Sequence, residues 1–463
     1  MQGPTQDELQ PTTGAWAEFR ALLRLGGPIA LAQLGMTALN FVDILWLGHY
    51  RADALSAMAL GNNLVWAAMV FCMGVVTVVD PLLSQAVGAG DRDAVTRTKL
   101  RGLVLSFLLT VPAAVVLLPS ATFLTWCGQP PELVPDAATY ARINVLGILP
   151  LLWFHVLRTF LSAHGRVRAQ IAVILAGNAL NAFVDWLWIF GNWGFPEMGV
   201  AGAAWATVAV RWLMCAMLLA VAWHESAPHL ARLREEDVRD QSLDPRVLWR
   251  MVRAGTPIGA QYALEMGIFG LTMLLVGWSG SAALGGHQVT LQLASMSFMV
   301  PLGISMAASV RIGWAVGRGD HDGARRSARV AMVSGVLVMC GFMVLYTTGP
   351  TALGRLFTAD PGILHWTAAL LPIAGVFQVV DGAQVVAIGC LRGLGDTRSP
   401  FLANLVGYWV LGLPLGIWLW DLMGRDPQGL WWGLALGLAF VAAFLVLLLR
   451  RRLGEQRTRM RVD

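Results

Sequence analysis

Four carboxylates stand inside long apolar runs of this 463-residue chain. Glu265 lies in GTPIGAQYALEMGIFG, with Gln261 one helical turn before it and no basic residue in that run. Asp381 lies in GVFQVVDGAQVVAIG, after Phe377 and Gln378 and before Gln384 on the same face. Asp43 lies in LNFVDILWLG, one turn beyond Asn40. Asn178, Asn181 and Asp185 follow at i, i+3 and i+7, a spacing that puts all three on one helical face. A carboxylate held in hydrocarbon without a basic partner binds a proton, or a cation in the proton's place. Such groups point to ion binding and exchange rather than to bond making. Glu265, Asp381 and Asp43 are therefore the candidate coupling acids, each able to take a proton or a cation in its place. Asn178, Asn181, Asp185 and Asn40 form a candidate polar pocket. Gln261, Gln288, Phe377, Gln378 and Gln384 are candidates for a substrate cleft. Other roles stay open for some of them. The stripe on 178–185 also suits hydrogen bonding between packed helices, and Asp43 also suits a carboxylate at a membrane boundary.

These residues need elements that hold them in lipid. The chain is 56% hydrophobic and 13% charged, with a mean hydropathy of +0.61. A soluble domain carries about 25% charged residues, so this composition describes a chain dissolved in lipid. Crossing a bilayer takes roughly 20 mainly apolar residues. Twelve such segments are predicted, near 24–48, 54–86, 102–119, 136–160, 170–190, 200–223, 253–278, 283–310, 328–347, 362–390, 400–420 and 429–449. Pro28, Pro150, Pro257, Pro301, Pro372 and Pro414 fall inside them, as bent spans tolerate when neighbours satisfy the freed backbone.

Orientation follows from Arg and Lys, which collect in cytoplasmic loops. With both termini inside, most of the 33 basic residues face the cytoplasm, and the exceptions are Arg51, Arg142, Arg211, Arg355 and Arg425. Arg211, within span six, suits an ion pair or snorkelling. Asp80, before Pro81, suits a cap or an interfacial group, and His287 suits a satisfied structural role. The polar start, Met1–Glu18, lacks a basic leader and cleavage site, so no signal peptide is expected. Cys72, Cys127, Cys215, Cys340 and Cys390 show no metal or disulfide spacing and read as small hydrophobes.

The chain is also written twice. A shift of 229 residues superposes 24–91 on 253–320 without a gap: RLGGPI meets RAGTPI, and AVGAGD meets AVGRGD. At a shift of 230, Leu161, Gly165 and Arg168 meet Leu391, Gly395 and Arg398. Six spans per copy is even, so both copies enter from one side and form a parallel repeat, an architecture of transporters. The expected fold is an all-α integral membrane protein of twelve transmembrane helices in two pseudo-symmetric six-helix bundles. The expected division is an N-terminal lobe with a cytoplasmic tail over 1–230, a cytoplasmic linker over 231–250, and a C-terminal lobe with a basic cytoplasmic tail over 251–463. The acids are not duplicated. Glu265 faces Met36 and Asp43 faces Thr272, while Asp381 meets Leu151 and Asp185 meets Leu415. The two pockets are therefore expected to differ.

No GxxxxGK[ST], HExxH or GxSxG occurs, which disfavours ATP-driven transport by this chain and enzyme chemistry alike. The stretches LGGPIALAQLG, NFVDILWLGH, SQAVGAGD, GTPIGAQYALEMGIFG, HQVTLQLASMSFMVPLGISMAASVRIGWAVGRGD and VVDGAQVVAIGCLRGLGDTRSP resemble the multidrug and toxic compound extrusion family, in its bacterial NorM-like branch. The resemblance covers nearly the whole chain. It implies two bundles facing each other across a cleft, and export of amphipathic, often cationic, compounds in exchange for Na⁺ or H⁺. It implies that Glu265 and Asp381 match the family's cation-site acids, the places for Na⁺, and that Asp43, Asn181 and Asp185 match the polar cluster of a proton-coupled branch. It implies no cofactor beyond the coupling ion, no nucleic acid, a lipid bilayer in the cell membrane, and a monomer. The alternatives are a flippase for a lipid-linked precursor, which calls for a more basic cavity, or an exporter of one metabolite.

Overall fold

The computed structural model describes residues 14–230, 244–455 and 458–460. Twelve helices long and apolar enough to cross a membrane occur among them. They are α1 (Ala15–Tyr50), α2 (Asp53–Gly88), α3 (Arg92–Leu117), α4 (Val134–Ala163), α5 (Val167–Phe190), α6 (Gly199–Trp223), α7 (Pro245–Gly277), α8 (Ser281–Arg318), α9 (His321–Thr348), α10 (Pro361–Gly393), α11 (Arg398–Leu422) and α12 (Pro427–Gly454). No strand occurs among the described residues.

The turns show how the repeat is encoded. After α2, Gly90 adopts φ +70°, and after α8, Gly319 adopts φ +74°. Each occupies the left-handed position that ends a helix and that only glycine fills without strain. The next residue then caps the following helix. Asp91 accepts from the Ala94 N–H at 2.9 Å and Asp320 from the Gly323 N–H at 2.7 Å. AVGAGD and AVGRGD are thus one instruction given twice: stop, reverse and restart.

Two helices start earlier than hydropathy alone predicts. Span one was expected from about residue 24, but α1 begins at Ala15. Glu18, read as part of a polar tail, is 2% exposed. It is bound by Arg311 of α8 at 2.6 and 2.7 Å and by Ser327 of α9 at 2.5 Å. α7 begins at Pro245 behind an Asp244 cap, so the last residues of the expected linker are helical. Residues 231–243 of that linker lie outside the described residues.

Three spans are interrupted. α2 breaks at Thr77–Val78, α4 passes through a 3₁₀ turn at Val145–Gly147, and α11 contains a π-helical stretch over Leu405–Gly412. Such irregular turns gather at functional sites, and here each neighbours a polar pocket.

The two copies exchange helix ends. Leu22, Leu25 and Ile29 of α1 are buried with core residues of α8, α9, α10 and α12. Val247, Met251 and Ile258 of α7 are buried with the core of the first six helices. The contacts between the copies obey the 229-residue relation. Gly74 of α2 abuts Gly259 of α7, and Gly303 of α8 abuts Ala30 of α1. Gly88 meets Trp314, and Gly317 meets Gln85. A methyl group at any of these glycines would overlap its neighbour. Small residues that let backbones touch are how helices associate in lipid, where apolar surface alone supplies no drive.

Polar contacts run along the same seam. Ser309 donates to Asp80 at 3.0 Å, Trp314 donates to the Ala163 carbonyl at 2.9 Å, and Gln85 donates to the Gly393 carbonyl at 2.9 Å. Asp80, expected as a cap or interfacial group, therefore joins the two copies. All these contacts fall in the half of each helix that lies nearest the start of α1 and the end of α12. The seam closes that face of the molecule.

Candidate functional site

In the first copy, α1, α2, α4, α5 and α6 enclose a cavity of about 300 Å³. Asp43 and Asn40 enter from α1, Asn181 from α5, and Thr207 and Arg211 from α6. Asp43, Asn181 and Asp185 are 2%, 1% and 0% exposed. Thr207 donates to Asp43 Oδ2 at 3.0 Å, and Asn181 donates to Asp185 Oδ2 at 2.8 Å. The two carboxyl groups lie close enough to interact electrostatically. Each keeps a buried Oδ1 that no donor satisfies. Two carboxylates in contact cannot both be ionised at low cost, but a single shared proton serves both.

Asn178 stands apart from this pair. It donates to the Gly35 carbonyl at 3.0 Å and the Ile174 carbonyl at 2.8 Å, joining α5 to α1. The three-residue stripe thus divides into one packing residue and two site residues. Arg211 donates to Asn144 at 3.0 Å and faces the cavity. Arg158 and His155 of α4 line the cavity as well. Arg158 donates to Gln33, and the inside-loop role expected for it gives way to a buried one.

In the second copy, Glu265 accepts from Gln261 at 3.0 Å and from Asn404 of α11. Asn404 Oδ1 accepts from Gln384 of α10 at 3.1 Å, and Gln384 Oε1 accepts from Tyr408 at 3.2 Å. Glu265 therefore ends a chain of amides drawn from three helices. Asp381 lies in electrostatic reach of Glu265 and Tyr408. It is half-buried and makes no hydrogen bond among the described residues. An amide can turn over to present oxygen in place of N–H, so this belt can receive a proton or supply oxygens to a hard cation.

The cleft candidates separate. Phe377 is buried edge-on against Trp431 and Phe269, with ring centroids 5.9 and 6.4 Å away. Gln378 is spent on the Ala294 carbonyl at 2.7 Å. Both serve helix packing. Gln288 is exposed, with its amide 3.1 Å from Met273 Sδ. His287 accepts from Trp431 Nε1 at 3.2 Å.

Thr207, Asn404 and Tyr408 were not singled out from the sequence. Asn404 had one signal, a lone amide in the apolar run FLANLVGYWV. Thr207 had none, since a hydroxyl among alanines and valines reads as ordinary packing. The sequence repeat does carry one spatial message. Met36 and Leu151, the counterparts of Glu265 and Asp381, both line the first cavity. The two pockets thus use equivalent places in the scaffold with different chemistry.

A doubled six-helix scaffold, joined along a glycine seam and holding acids within its bundles, is an architecture of membrane transporters. Comparison with known proteins gives the family. The MatE family model matches residues 28–187 and again 257–418. The chain is 37% identical over 437 residues to the probable multidrug resistance protein NorM of Mesorhizobium japonicum, covering 93% of each chain. It is 36% identical over 453 residues to that of Pseudomonas putida, covering 94% of each. Its fold superposes on the eukaryotic MATE transporter AtDTX14 with a TM-score of 0.85 at 20% identity, covering 96% of this chain and 99% of the other. A multidrug resistance MATE transporter described in an outward-facing conformation gives 0.84 at 18% identity, covering 98% and 99%. The chain belongs to the MATE family. It is a multi-pass membrane transporter and not an enzyme.

Proposed function

We propose that the chain exports amphipathic, often cationic, compounds in exchange for inward Na⁺ or H⁺. The observation that carries this reading is the pair of Asp43, which lines a cavity of about 300 Å³, and Asp185 behind it, with a second and different acid site at Glu265. The names of the NorM relatives support the substrate class. The distribution of Arg and Lys puts both termini in the cytoplasm. The glycine seam then closes the cytoplasmic face, and the structure represents an outward-facing state. A monomer holds both sites.

In this state the cleft is open to ions from outside. A proton enters the Asp43–Asp185 pair, and Na⁺ or a proton enters at Glu265, with Asp381 alongside. An ion that neutralises a carboxylate removes the charge that holds a cationic substrate, so ion and substrate compete. The lobes, 1–230 and 251–463, then rock about the seam and expose the sites to the cytoplasm. A ligand drives this only by binding the two states unequally. The direct test is efflux of a fluorescent lipophilic cation from proteoliposomes under a Na⁺ gradient alone or an H⁺ gradient alone. Either gradient should drive movement above protein-free liposomes. Movement driven by neither would overturn the reading.

A further inference from the structure

Arg392 ends α10 at the place where the two copies meet, and it is 9% exposed. Gly393, its neighbour, packs on the backbone of Ser309 and gives its carbonyl to Gln85 of α2. Ser309 in turn donates to Asp80 of α2 at 3.0 Å. The Arg392 guanidinium lies 5.8 Å from the centre of the Tyr262 ring on α7, and Tyr262 precedes Glu265 by one helical turn. Arg392 therefore stands between two carboxylates from opposite halves of the chain, Asp80 at the seam and Glu265 in the amide belt. Both are within its electrostatic reach. No carboxylate oxygen among the described residues comes within ion-pair distance of it. The other charged groups around it are accounted for. Arg158 of α4 also faces Asp80, His155 contacts Thr77 at 3.2 Å, and Asp396 is held by Arg452 at 3.2 Å.

With Glu265 and Asp80 ionised, the two carboxylates balance Arg158 and Arg392. When a cation neutralises Glu265, Arg392 is left to Asp80. An uncompensated buried charge is costly, so the balance has to be restored by what moves. We infer that Arg392 is a positioning residue that couples cation occupancy at Glu265 to closure of the Asp80–Ser309 seam. While the seam is closed, Asp80 draws on Arg392, and Glu265 is free to hold the cation. When the lobes part, Asp80 leaves, Arg392 turns its charge to Glu265, and the cation is expelled on the side that has just opened. Linkage makes the effect mutual, so a cation at Glu265 also favours the closed seam.

The inference rests on Glu265 being a coupling site, and the test separates the two ideas. Exchange is measured in proteoliposomes against the concentration of Na⁺, with no H⁺ gradient. Arg392→Gln should lower the half-saturating cation concentration by about tenfold, the scale of one charge acting through protein at this range, and lower the maximal rate because release is slowed. Arg392→Lys should restore both. Asp80→Asn should move the half-saturating concentration the opposite way, which a general folding defect would not do. A reporter cysteine at Ser84, which packs on Gly313 across the seam, should react faster with a cytoplasmic maleimide in Arg392→Gln. If Glu265→Gln abolishes cation dependence while Arg392→Gln and Asp80→Asn leave the half-saturating concentration unmoved, the inference is wrong and the Glu265 reading stands. If Glu265→Gln keeps its Na⁺ dependence, both fall.

Discussion

The two polar sites occupy equivalent places in a duplicated scaffold and solve different problems. In the first copy, two carboxyls stand together at a cavity that Asp43 lines, each with an unsatisfied oxygen. In the second, one carboxylate takes hydrogen bonds from Gln261 and Asn404 and stands in the field of a second, half-buried acid. A carboxyl pair selects for a proton, because only a proton sits between two oxygens in contact. An amide belt has no such preference, because amides turn to offer oxygen or nitrogen. Duplication kept the turns, caps and seam glycines and let the pockets diverge. It thereby gave one chain two unlike acid pockets on either side of one seam.

The comparison can be broken by exchanging the chemistry of the sites. The largest effect is expected from Asp43→Asn, which leaves Asp185 without a partner that can share a proton. Proton-driven exchange should fall by at least about a hundredfold, the equivalent of ~2.8 kcal/mol, while Na⁺-driven exchange persists. Retention of proton-driven exchange would remove the distinction between the lobes.

The seam offers the next effect. Gly303→Val places two methyl groups against Ala30, and overpacking of this kind costs about 1–3 kcal/mol. The variant should expose a cysteine at Ser84 to cytoplasmic reagents and lose thermal stability in detergent. A fully protected cysteine would show that the seam does not set the closed face. A smaller change is expected from Asn404→Leu, which removes one of two donors to Glu265 Oε1 and leaves the Gln384 amide without its acceptor, a loss of about 1–3 kcal/mol. It should shift the half-saturating concentration of the driving cation and leave exchange driven through Asp43 unaltered. An equal effect on both would mean that the sites are not separate.

The smallest effect concerns the contacts of Arg459 and Met460 across the seam face. Arg459 pairs with Asp91 at 2.8 Å, and the Met460 N–H donates to Gln85 at 2.7 Å. Partial burial opposes ionisation of Asp91, but the Ala94 N–H and the Arg459 guanidinium prevail and hold its carboxyl below the ordinary value. Such a group stabilises the fold above the unfolded value, near 3.9, and that contribution is lost as pH falls through the folded value. Asp91 is 39% exposed, so solvent screening limits the pair to ~0.5 kcal/mol. The melting temperature should fall slightly more below pH 4 in the wild type than in Asp91→Asn, and identical acid profiles would contradict this.

The fold was legible in the sequence because its signals are local. Span length, Gly–Asp turns and the Arg bias are each read within a few residues, and the 229-residue repeat multiplies them. The four acids were legible because a charge in lipid stands out. What the sequence hid was pairing. Nothing near Glu18 announces Arg311, which lies 293 residues away, so a buried anchor read as a polar tail. Asn178 and Asn181 share one stripe, yet one packs on α1 and the other meets Asp185, a difference set by the neighbouring helix. Arg158 and Arg392 looked like inside-facing charges because hydropathy records where a residue lies along a span and not what closes over it.

The central claim is that the two lobes carry two unlike cation sites. The measurement that tests it most directly is efflux of a fluorescent lipophilic cation from proteoliposomes made with Asp43→Asn or Glu265→Gln, each under an H⁺ gradient alone and a Na⁺ gradient alone. The account predicts that Asp43→Asn loses the H⁺-driven component and keeps the Na⁺-driven one, and that Glu265→Gln loses the Na⁺-driven component. Both variants losing the same component, or both keeping each, would contradict it.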